Sequence, residues 1–375
     1  MEPIINYATD VEKTDEFVVN IGPQHPSTHG VLRFVTTLDG ETIKDIVPVI
    51  GYIHRGIEKM TEFLNYKQSI YLTSRMDYLS SFINNQACSL VIEKAAGIEV
   101  PPRGQAIRVL MAELQRLASH ELWWGSCTMD VGAVTPFFMA FRDRETILDI
   151  FEANTGSRLT TNYIMPGGVM MDILPDFVPQ VKDAVAKLKA FLPEYETLIN
   201  GNVIFQRRMK GVGVLTKEQA ISLGVTGPVA RASGISCDVR KLHPYDGYDK
   251  LDFKEVVYDG CDSWTRYLLR LEEMKQSIHI IEQLIDNIPE GDYRTKLKGV
   301  LRIPEGEYYQ RVETARGEFG VYLVSDGGTK PYRTKFRSPN FSNLGTAKPM
   351  NVGMKIGDLI ASMSTIDLVI PDIDR

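Results

Sequence analysis

The chain has 375 residues, 43% hydrophobic and 24% charged, a balance typical of a globular protein with about two or three domains' worth of core. Its net charge of -6 lacks the basic excess expected of a nucleic-acid surface, so a role in RNA or DNA binding is not favoured. The N-terminus resembles no signal peptide, and no apolar run reaches membrane-spanning length. We therefore expect a protein on the cytoplasmic side of the membrane that reaches the membrane only through a partner.

The cysteines are few and scattered. They are Cys88, Cys127, Cys237 and Cys261, and no two of them form a CxxC pair. This usage indicates a reducing compartment and not a disulfide framework. It also predicts that the chain holds no iron–sulfur cluster of its own, so any redox metal that it works with must be bound elsewhere.

The N-terminal region predicts a sheet that carries a loop with two histidines. Apolar, β-branched runs at residues 17–21 and 31–35 flank the loop IGPQHPSTHGVLR at 21–33. His25 and His29 lie on this loop, and histidine titrates near neutral pH, so proton chemistry is one interpretation. The alternative is that His25 only caps the turn. A metal site built from both imidazoles is least favoured, because no third ligand is evident.

A strong hairpin signal follows at Asp39-Gly40, so residues 15–50 are expected to form a small antiparallel sheet. Apolar periodicity then predicts a series of helices at about residues 51–65, 77–97, 103–127, 138–155, 179–199, 216–224 and 263–288. The longest of these are apolar on one side and should pack together as a bundle.

The last part of the chain returns to β character. Residues 307–336 predict strands with a turn at Gly327-Gly328, and a short helix is expected within 353–375. The predicted fold class is therefore α+β, mainly α. The predicted domains are an N-terminal β region at 1–50, a helical bundle core at 51–300, and a C-terminal β hairpin and tail at 301–375 that packs back on the core.

Several blocks in one order carry a family resemblance. They include residues 22–33, HRGIEK at 54–59, RMDY at 75–78 and DVGAVTP at 130–136. With these blocks the chain resembles the 49 kDa (D) subunit family of respiratory complex I, the proton-translocating NADH:quinone oxidoreductase. The resemblance covers nearly the whole chain, and it implies a helical bundle like that of the nickel–iron hydrogenase large subunit.

The hydrogenase comparison also predicts that no nickel is bound. Hydrogenases hold their metal with two CxxC pairs, whereas Asp77 and Ser80 follow Arg75 here, and Val369 and Asp372 stand near the C-terminal end. These residues cannot replace four thiolates as ligands of nickel. The resemblance implies instead a quinone cavity, which Val369 is expected to line.

The resemblance implies roles for three residues in quinone reduction. His29 and Tyr78 match the histidine and tyrosine that bind the quinone headgroup, and Asp130 matches the aspartate that orients the histidine. An aspartate partner raises imidazole basicity, so His29 would hold a proton to donate. Without the family, Tyr78 would be interpreted as a buried tyrosine with a satisfied hydroxyl, and Asp130 as a helix cap.

Other positions bear on the electron donor. His54 and Arg55 match the block beside the terminal iron–sulfur cluster of the neighbouring B subunit, where a guanidinium would favour the reduced cluster. The alternative for Arg55 is a surface ion pair with Glu58 and Lys59. Many family members have histidine and arginine where this chain has Thr160 and Met165. The absence of the histidine and arginine side chains predicts a low reduction potential of the cluster with a weak pH dependence. Such a potential suits menaquinone as the electron acceptor.

The resemblance thus implies a quinone-reducing subunit that binds no cofactor of its own. The implied partners are the B, C and I subunits and the membrane H subunit, on the cytoplasmic side of the bacterial inner membrane. Two alternatives remain at this point. One is the same subunit in a related complex that takes electrons from ferredoxin or a deazaflavin, and the other is a purely structural assembly subunit.

Overall fold

The computed structural model describes residues 5–6, 16–25, 30–297 and 299–375, with the backbone alone at 5, 6 and 25. The N-terminal part forms an antiparallel four-stranded sheet in the order β1-β2-β5-β6. Its strands are β1 (Ile5–Asn6), β2 (Glu16–Ile21), β5 (Arg33–Asp39) and β6 (Thr42–Val49), while β3 (Gln24–His25) and β4 (Gly30–Val31) pair separately. The predicted sheet is confirmed, and the hairpin turn has Gly40 at a φ of 59°.

Helices make up most of the rest. They are α1 (Ile57–Thr61), α2 (Tyr66–Thr73), α3 (Ser81–Ala96), α4 (Pro102–Asp130), α5 (Val134–Thr155), α6 (Phe177–Tyr195), α7 (Val203–Met209), α8 (Lys217–Ser222), α9 (Gly227–Arg231), α10 (Val239–Leu242), α11 (Ser263–Ile285), α12 (Pro339–Leu344), α13 (Ala347–Asn351), α14 (Ile356–Ser364) and α15 (Ile370–Asp374). A π-helical turn, Glu196–Asn200, continues α6, and a two-residue ladder joins β7 (Ile164–Met165) to β8 (Gly168–Val169).

The predicted helical bundle is confirmed, and α4 lies at its centre. This helix packs against both α5 and α11, and α6 packs against the same two helices. The apolar stripe of α4 is completely buried at Ile107, Leu110 and Leu114, so burial of this face supplies much of the core. The fold class, α+β with mainly helical structure, is therefore as predicted.

Some predicted helix limits were wrong. The helix expected from residue 77 begins only at Ser81, because the Asp77 side chain accepts the Leu79 N–H at 3.1 Å and holds a turn instead. The segment expected to be helical over 51–65 ends at Thr61. Asn65 then starts α2 with a capping box to Gln68, a signal that apolar periodicity does not report.

The C-terminal β region has one more strand than the sequence indicated. β9 (Gly306–Thr314), β10 (Gly317–Ser325) and β11 (Arg333–Arg337) form an antiparallel sheet with β10 in the middle. The predicted pairing across Gly327-Gly328 is present as β10 with β11. The first hairpin was missed, and its turn carries Arg316, a residue that becomes important in the site.

The end of the chain returns to the N-terminal sheet. Ile43 exchanges backbone hydrogen bonds with Met354 and Gly353 at 2.9 and 2.8 Å. Side chains of both regions share one hydrophobic cluster, which includes Phe34 from β5 and Ile370 from α15. This packing brings the C-terminal residues close to the strands of the N-terminal sheet. Among the described helices, none is both long enough and apolar enough to cross a membrane.

Candidate functional site

The histidine loop can be placed by its two ends. Gln24–His25 pairs with Gly30–Val31 in a short ladder, while His29 lies outside the described residues, as does the rest of 26–29. A Cβ on Gly30 would lie 2.9 Å from Cγ1 of Ile370, and the φ of Gly30 is 137°. Gly30 therefore packs against α15, and a larger residue would not fit at this position.

Tyr78 lies in the turn between α2 and α3 and is half-buried. Burial raises the pKa of its phenol, and the nearby charges of Asp77 and Asp367 raise it further, while Arg316 and Arg144 act in the opposite direction. The phenol is thus a protonated group at neutral pH. The alternative interpretation of Tyr78 was a buried tyrosine with a satisfied hydroxyl. Within the described part of the chain, no side chain forms a hydrogen bond with that hydroxyl.

Arg316 connects the segments around Tyr78. From the turn between β9 and β10, Nη1 donates to Ser119 at 2.7 Å and lies 3.4 Å from Asp77, and Nη2 donates to Asp367 at 3.0 Å. Nη1 also lies 3.3 Å from Oγ of Ser80. All of these residues are buried, so the arginine holds two carboxylates in a setting where neither is screened by water.

The C-terminal residues complete this cluster. The segment before α15 turns at Asp367, whose φ is 63°, and Arg270 of α11 holds it by donating to the carbonyls of Thr365 and Ile366 at 2.7 and 3.1 Å. Val369 is buried and donates its N–H to Asn340 at 3.1 Å. Positive φ at a non-glycine residue is uncommon and is maintained here by these contacts.

Asp372 faces the same region. Its Oδ2 accepts hydrogen bonds from Ser338 and from Asn340 Nδ2, the latter at 2.7 Å. Burial, with a smaller effect of the Asp77 charge, raises the pKa of Asp372 to about 6. The structure thus brings together Asp77 and Ser80 from one segment and Val369 and Asp372 from the other. These are the residues compared above with the thiolate positions of hydrogenases.

Asp130 is the last residue of α4 and is partly buried. The cap positions on either side are held by Val131, which follows α4, and Ala133, which precedes α5, so Asp130 is not the cap residue that the sequence alone suggested. Its predicted partner, His29, is outside the described residues, and the pairing stays a prediction. Among the described residues, no group of three or more histidine, cysteine, aspartate or glutamate side chains could hold a metal ion.

His54 and Arg55 lie on the exposed segment before α1. His54 Nδ1 is 2.6 Å from the carbonyl oxygen of Asp374, and Arg55 Nη2 donates to the carbonyl of Arg75 at 2.7 Å. The alternative of an ion pair among Arg55, Glu58 and Lys59 is wrong. Glu58 pairs instead with Arg333, Lys335 and Arg375, and Lys59 pairs with Glu62.

Thr160 and Met165 lie in the segment between α5 and β8, and both are partly exposed. The carbonyl of Met165 accepts a hydrogen bond from Nη2 of Arg108 at 2.7 Å, so the backbone here is anchored to α4. Arg108 itself is buried against Glu93. The backbone at Met165 is therefore held by a buried residue of α4.

Three buried polar residues near Tyr78 were not predicted from the sequence, namely Arg316, Asp367 and Ser119. Arg316 was missed because the hairpin that carries it was missed. Asp367 was missed because it belongs to no periodic apolar pattern. Ser119 was readable in principle, since a polar residue interrupts the apolar run of α4 there. Such an interruption in a buried helix predicts a polar partner.

Comparisons with known proteins show the family to which the chain belongs. A family model described as the respiratory-chain NADH dehydrogenase 49 kDa subunit matches residues 130–302 and 295–375. The chain is 56% identical over 361 residues to the C/D subunit of the NADH-quinone oxidoreductase of Phocaeicola vulgatus, covering 96% of this chain and 70% of that protein.

Two unfused relatives match along almost their whole length. The D subunit of the NADH-quinone oxidoreductase of Desulforamulus reducens is 47% identical over 362 residues, covering 96% of this chain and 99% of the relative. That of Dehalococcoides mccartyi is 47% identical over 364 residues, covering 97% and 99%. The chain belongs to the 49 kDa subunit family of the respiratory-chain NADH dehydrogenases.

Proposed function

We propose that this chain is the quinone-reducing subunit of a proton-translocating NADH:quinone oxidoreductase and forms the site that binds the quinone headgroup. The observation that carries the proposal is the position of Tyr78. Its protonated phenol stands beside the buried cluster of Asp77, Arg316 and Asp367, where the turn before α3 meets the C-terminal segment. The names of the relatives, which are D or C/D subunits of NADH-quinone oxidoreductases, support the same reaction.

The reaction requires two electrons and two protons for each quinone, because both carbonyl oxygens become hydroxyl groups. Tyr78 and His29 would bind the headgroup and donate these protons, and Asp130 would orient His29. Val369 would line the cavity. Support for this arrangement comes from Gly30, the next described residue after His29, because a Cβ there would lie 2.9 Å from Ile370, the residue that follows Val369.

The electrons would come from the iron–sulfur cluster of the neighbouring B subunit, past His54 and Arg55. The exposure of both side chains leaves them available to a partner. The anchoring of His54 to Asp374 and of Arg55 to Arg75 connects that surface to the segments that surround Tyr78. A cation at this place would favour the reduced cluster.

The proposal includes the setting of the reaction. The chain would bind no cofactor of its own and would contact the B, C and I subunits and the membrane H subunit, at the cytoplasmic face of the bacterial inner membrane. Menaquinone is the proposed substrate, because Thr160 and Met165 lack the side chains that would stabilise a high-potential cluster.

The proposal is tested with Tyr78→Phe and His29→Ala in the purified complex. Both variants should keep NADH oxidation with an artificial electron acceptor and lose most quinone turnover, by roughly 10²-fold, because a proton donor is removed. Tyr71→Phe is the matched control, since this tyrosine is 41% exposed on α2. Normal quinone turnover in both site variants would remove the proposed site.

A further inference from the structure

Asp374, the last residue of α15, is a buried aspartate that holds a surface segment far away in sequence. Its Oδ1 accepts the N–H of Gly51 at 2.8 Å, and its Oδ2 accepts the N–H of Ile53 at 2.9 Å. Only 7% of the residue is exposed. Hydrogen bonds to a carboxylate are stronger than those to a neutral acceptor, and burial shields them from water. Asp374 therefore fixes the backbone that leads directly into His54.

The backbone of Asp374 also holds the imidazole of His54. Nδ1 lies 2.6 Å from the carbonyl oxygen of Asp374. A carbonyl oxygen can only accept a hydrogen bond, so Nδ1 must carry the hydrogen, and in the neutral ring Nε2 is then the acceptor. The side chain is exposed, and Nε2 forms no hydrogen bond within the described part of the chain. One residue thus sets both the place and the tautomer of His54.

Arg55 gives the same segment a second anchor. Its Nη2 donates to the carbonyl of Arg75 at 2.7 Å, in the turn that follows α2. Arg75 is fixed in turn, because its Nη1 donates to the carbonyl of Tyr71 at 2.7 Å and to Oγ of Ser74 at 2.9 Å. A guanidinium has further N–H donors, and Arg55 is exposed, so these remain available to a partner. The segment is therefore held on one side by α15 and on the other by this turn.

The helix α15 is itself held independently of the segment that it anchors. Oδ2 of Asp372 accepts hydrogen bonds from Ser338 and from Nδ2 of Asn340, the latter at 2.7 Å. The N–H of Val369, just before the helix, donates to Oδ1 of Asn340 at 3.1 Å. The place of Asp374 is thus fixed by α12 and the residue before it, and does not depend on residues 51–55.

We propose that Asp374 is a positioning residue for electron entry, which holds His54 and Arg55 in the orientation that meets the cluster-bearing subunit. This inference rests on the proposed function. Nε2 of neutral His54 can only accept, so the partner must offer it an N–H or O–H donor, whereas Arg55 requires an acceptor. A shift of the segment by about 1 Å would weaken both contacts. It would also change the hydrogen bonds and charge near the cluster, which help to set the reduction potential.

The first test uses Asp374→Ala in the assembled complex. The reduction potential and the EPR spectrum of the partner's cluster should both change, and quinone turnover should fall roughly 10-fold, as when an outer-shell partner of a metal site is lost. Asp374→Asn keeps one accepting oxygen and should show smaller changes. The matched control is Asp262→Ala, because Asp262 also accepts two backbone N–H groups, those of Gly211 and Thr265, each at 2.8 Å. This control should keep the wild-type EPR spectrum.

Hydrogen exchange measures the anchor itself. The amides of Gly51 and Ile53 should exchange faster in Asp374→Ala than in the wild-type complex, because they lose their acceptor. Unchanged exchange would overturn the anchor. Faster exchange with a wild-type EPR spectrum and potential, while Tyr78→Phe is impaired, would overturn the positioning role alone. Normal quinone turnover in both Tyr78→Phe and His29→Ala would instead overturn the proposed function, whatever the result for Asp374→Ala.

Discussion

Arg316 and Asp367 form a buried ion pair, with Nη2 and Oδ1 3.0 Å apart, that joins the hairpin of β9 and β10 to the C-terminal segment. The same guanidinium lies 3.4 Å from Asp77 in the turn before α3. One arginine therefore holds together three parts of the chain that are distant in sequence. Because two carboxylates depend on it, its removal affects more than a single contact.

We expect Arg316→Met to lower the free energy of unfolding by about 3–5 kcal/mol, since two buried carboxylates lose their partner. Chemical denaturation of the purified chain measures this. Arg333→Met is the control, because Arg333 is 43% exposed in its ion pairs with Glu58 and Glu62 and should cost about 0–1 kcal/mol. Equal losses of unfolding free energy in the two variants would contradict the larger contribution assigned to the buried ion pairs.

Asp372 should make stability depend on pH. Its pKa in the folded protein is raised to about 6 from the ordinary 3.8, so the folded state binds the proton more tightly than the unfolded state. The contribution is favourable below pH 4 and is lost as pH rises to about 6. Relative to wild type, Asp372→Asn should therefore gain about 2–3 kcal/mol between pH 4 and pH 7. Denaturation curves at both pH values test this, and a difference that does not change with pH would contradict it.

Gly30→Ala should disturb the histidine loop. The new methyl group would meet Ile370 at 2.9 Å, at a φ of 137° that alanine rarely adopts. A loss of about 1–3 kcal/mol and a fall in quinone turnover are expected. Gly40→Ala is the matched control, since it also has positive φ but no atom within 4 Å. Unfolding and turnover measured on both variants separate the clash from the backbone strain, and full turnover in Gly30→Ala would show that the contact with α15 is dispensable.

Under the proposed function, the reduction potential of the partner's cluster should depend only weakly on pH, because the chain has Thr160 where the family resemblance implies a histidine. Redox titration of the assembled complex at several pH values measures this slope. Thr160→His should steepen it towards about 59 mV per pH unit, the value for one proton per electron. A slope that is already steep in the wild-type complex would rule out the interpretation of Thr160 and Met165.

Local signals in the sequence were sufficient for much of the fold. The apolar stripe of α4 predicted a central helix within a few residues of its observed limits, and Gly156, with a φ of 73°, ends α5 as expected. These features depend on neighbours within a turn or two of the chain. The ordered blocks such as RMDY and HRGIEK also identified the family, which the comparisons confirm.

The candidate site could be predicted only in part. Tyr78 and Val369 came from the family resemblance, whereas Arg316, Ser119 and Asp367 came from the structure. A buried charge is informative only when its surroundings are known, and nothing local distinguishes Arg316 from a solvated arginine. Its burial depends on α4 and the C-terminal segment, which pack against it.

The sequence by itself determined the long helices, the N-terminal sheet and the family, because periodicity and turn residues act over short distances. Short helices such as α2 and α7 were not predicted. Only the tertiary structure decided that Asp77, Arg316 and Asp367 meet, since their approach depends on how helices, hairpin and C-terminal segment pack. Electrostatic interactions between buried groups are strong over a few ångströms and are set by that packing. The chemistry of the site therefore follows from contacts between residues that are far apart in the chain.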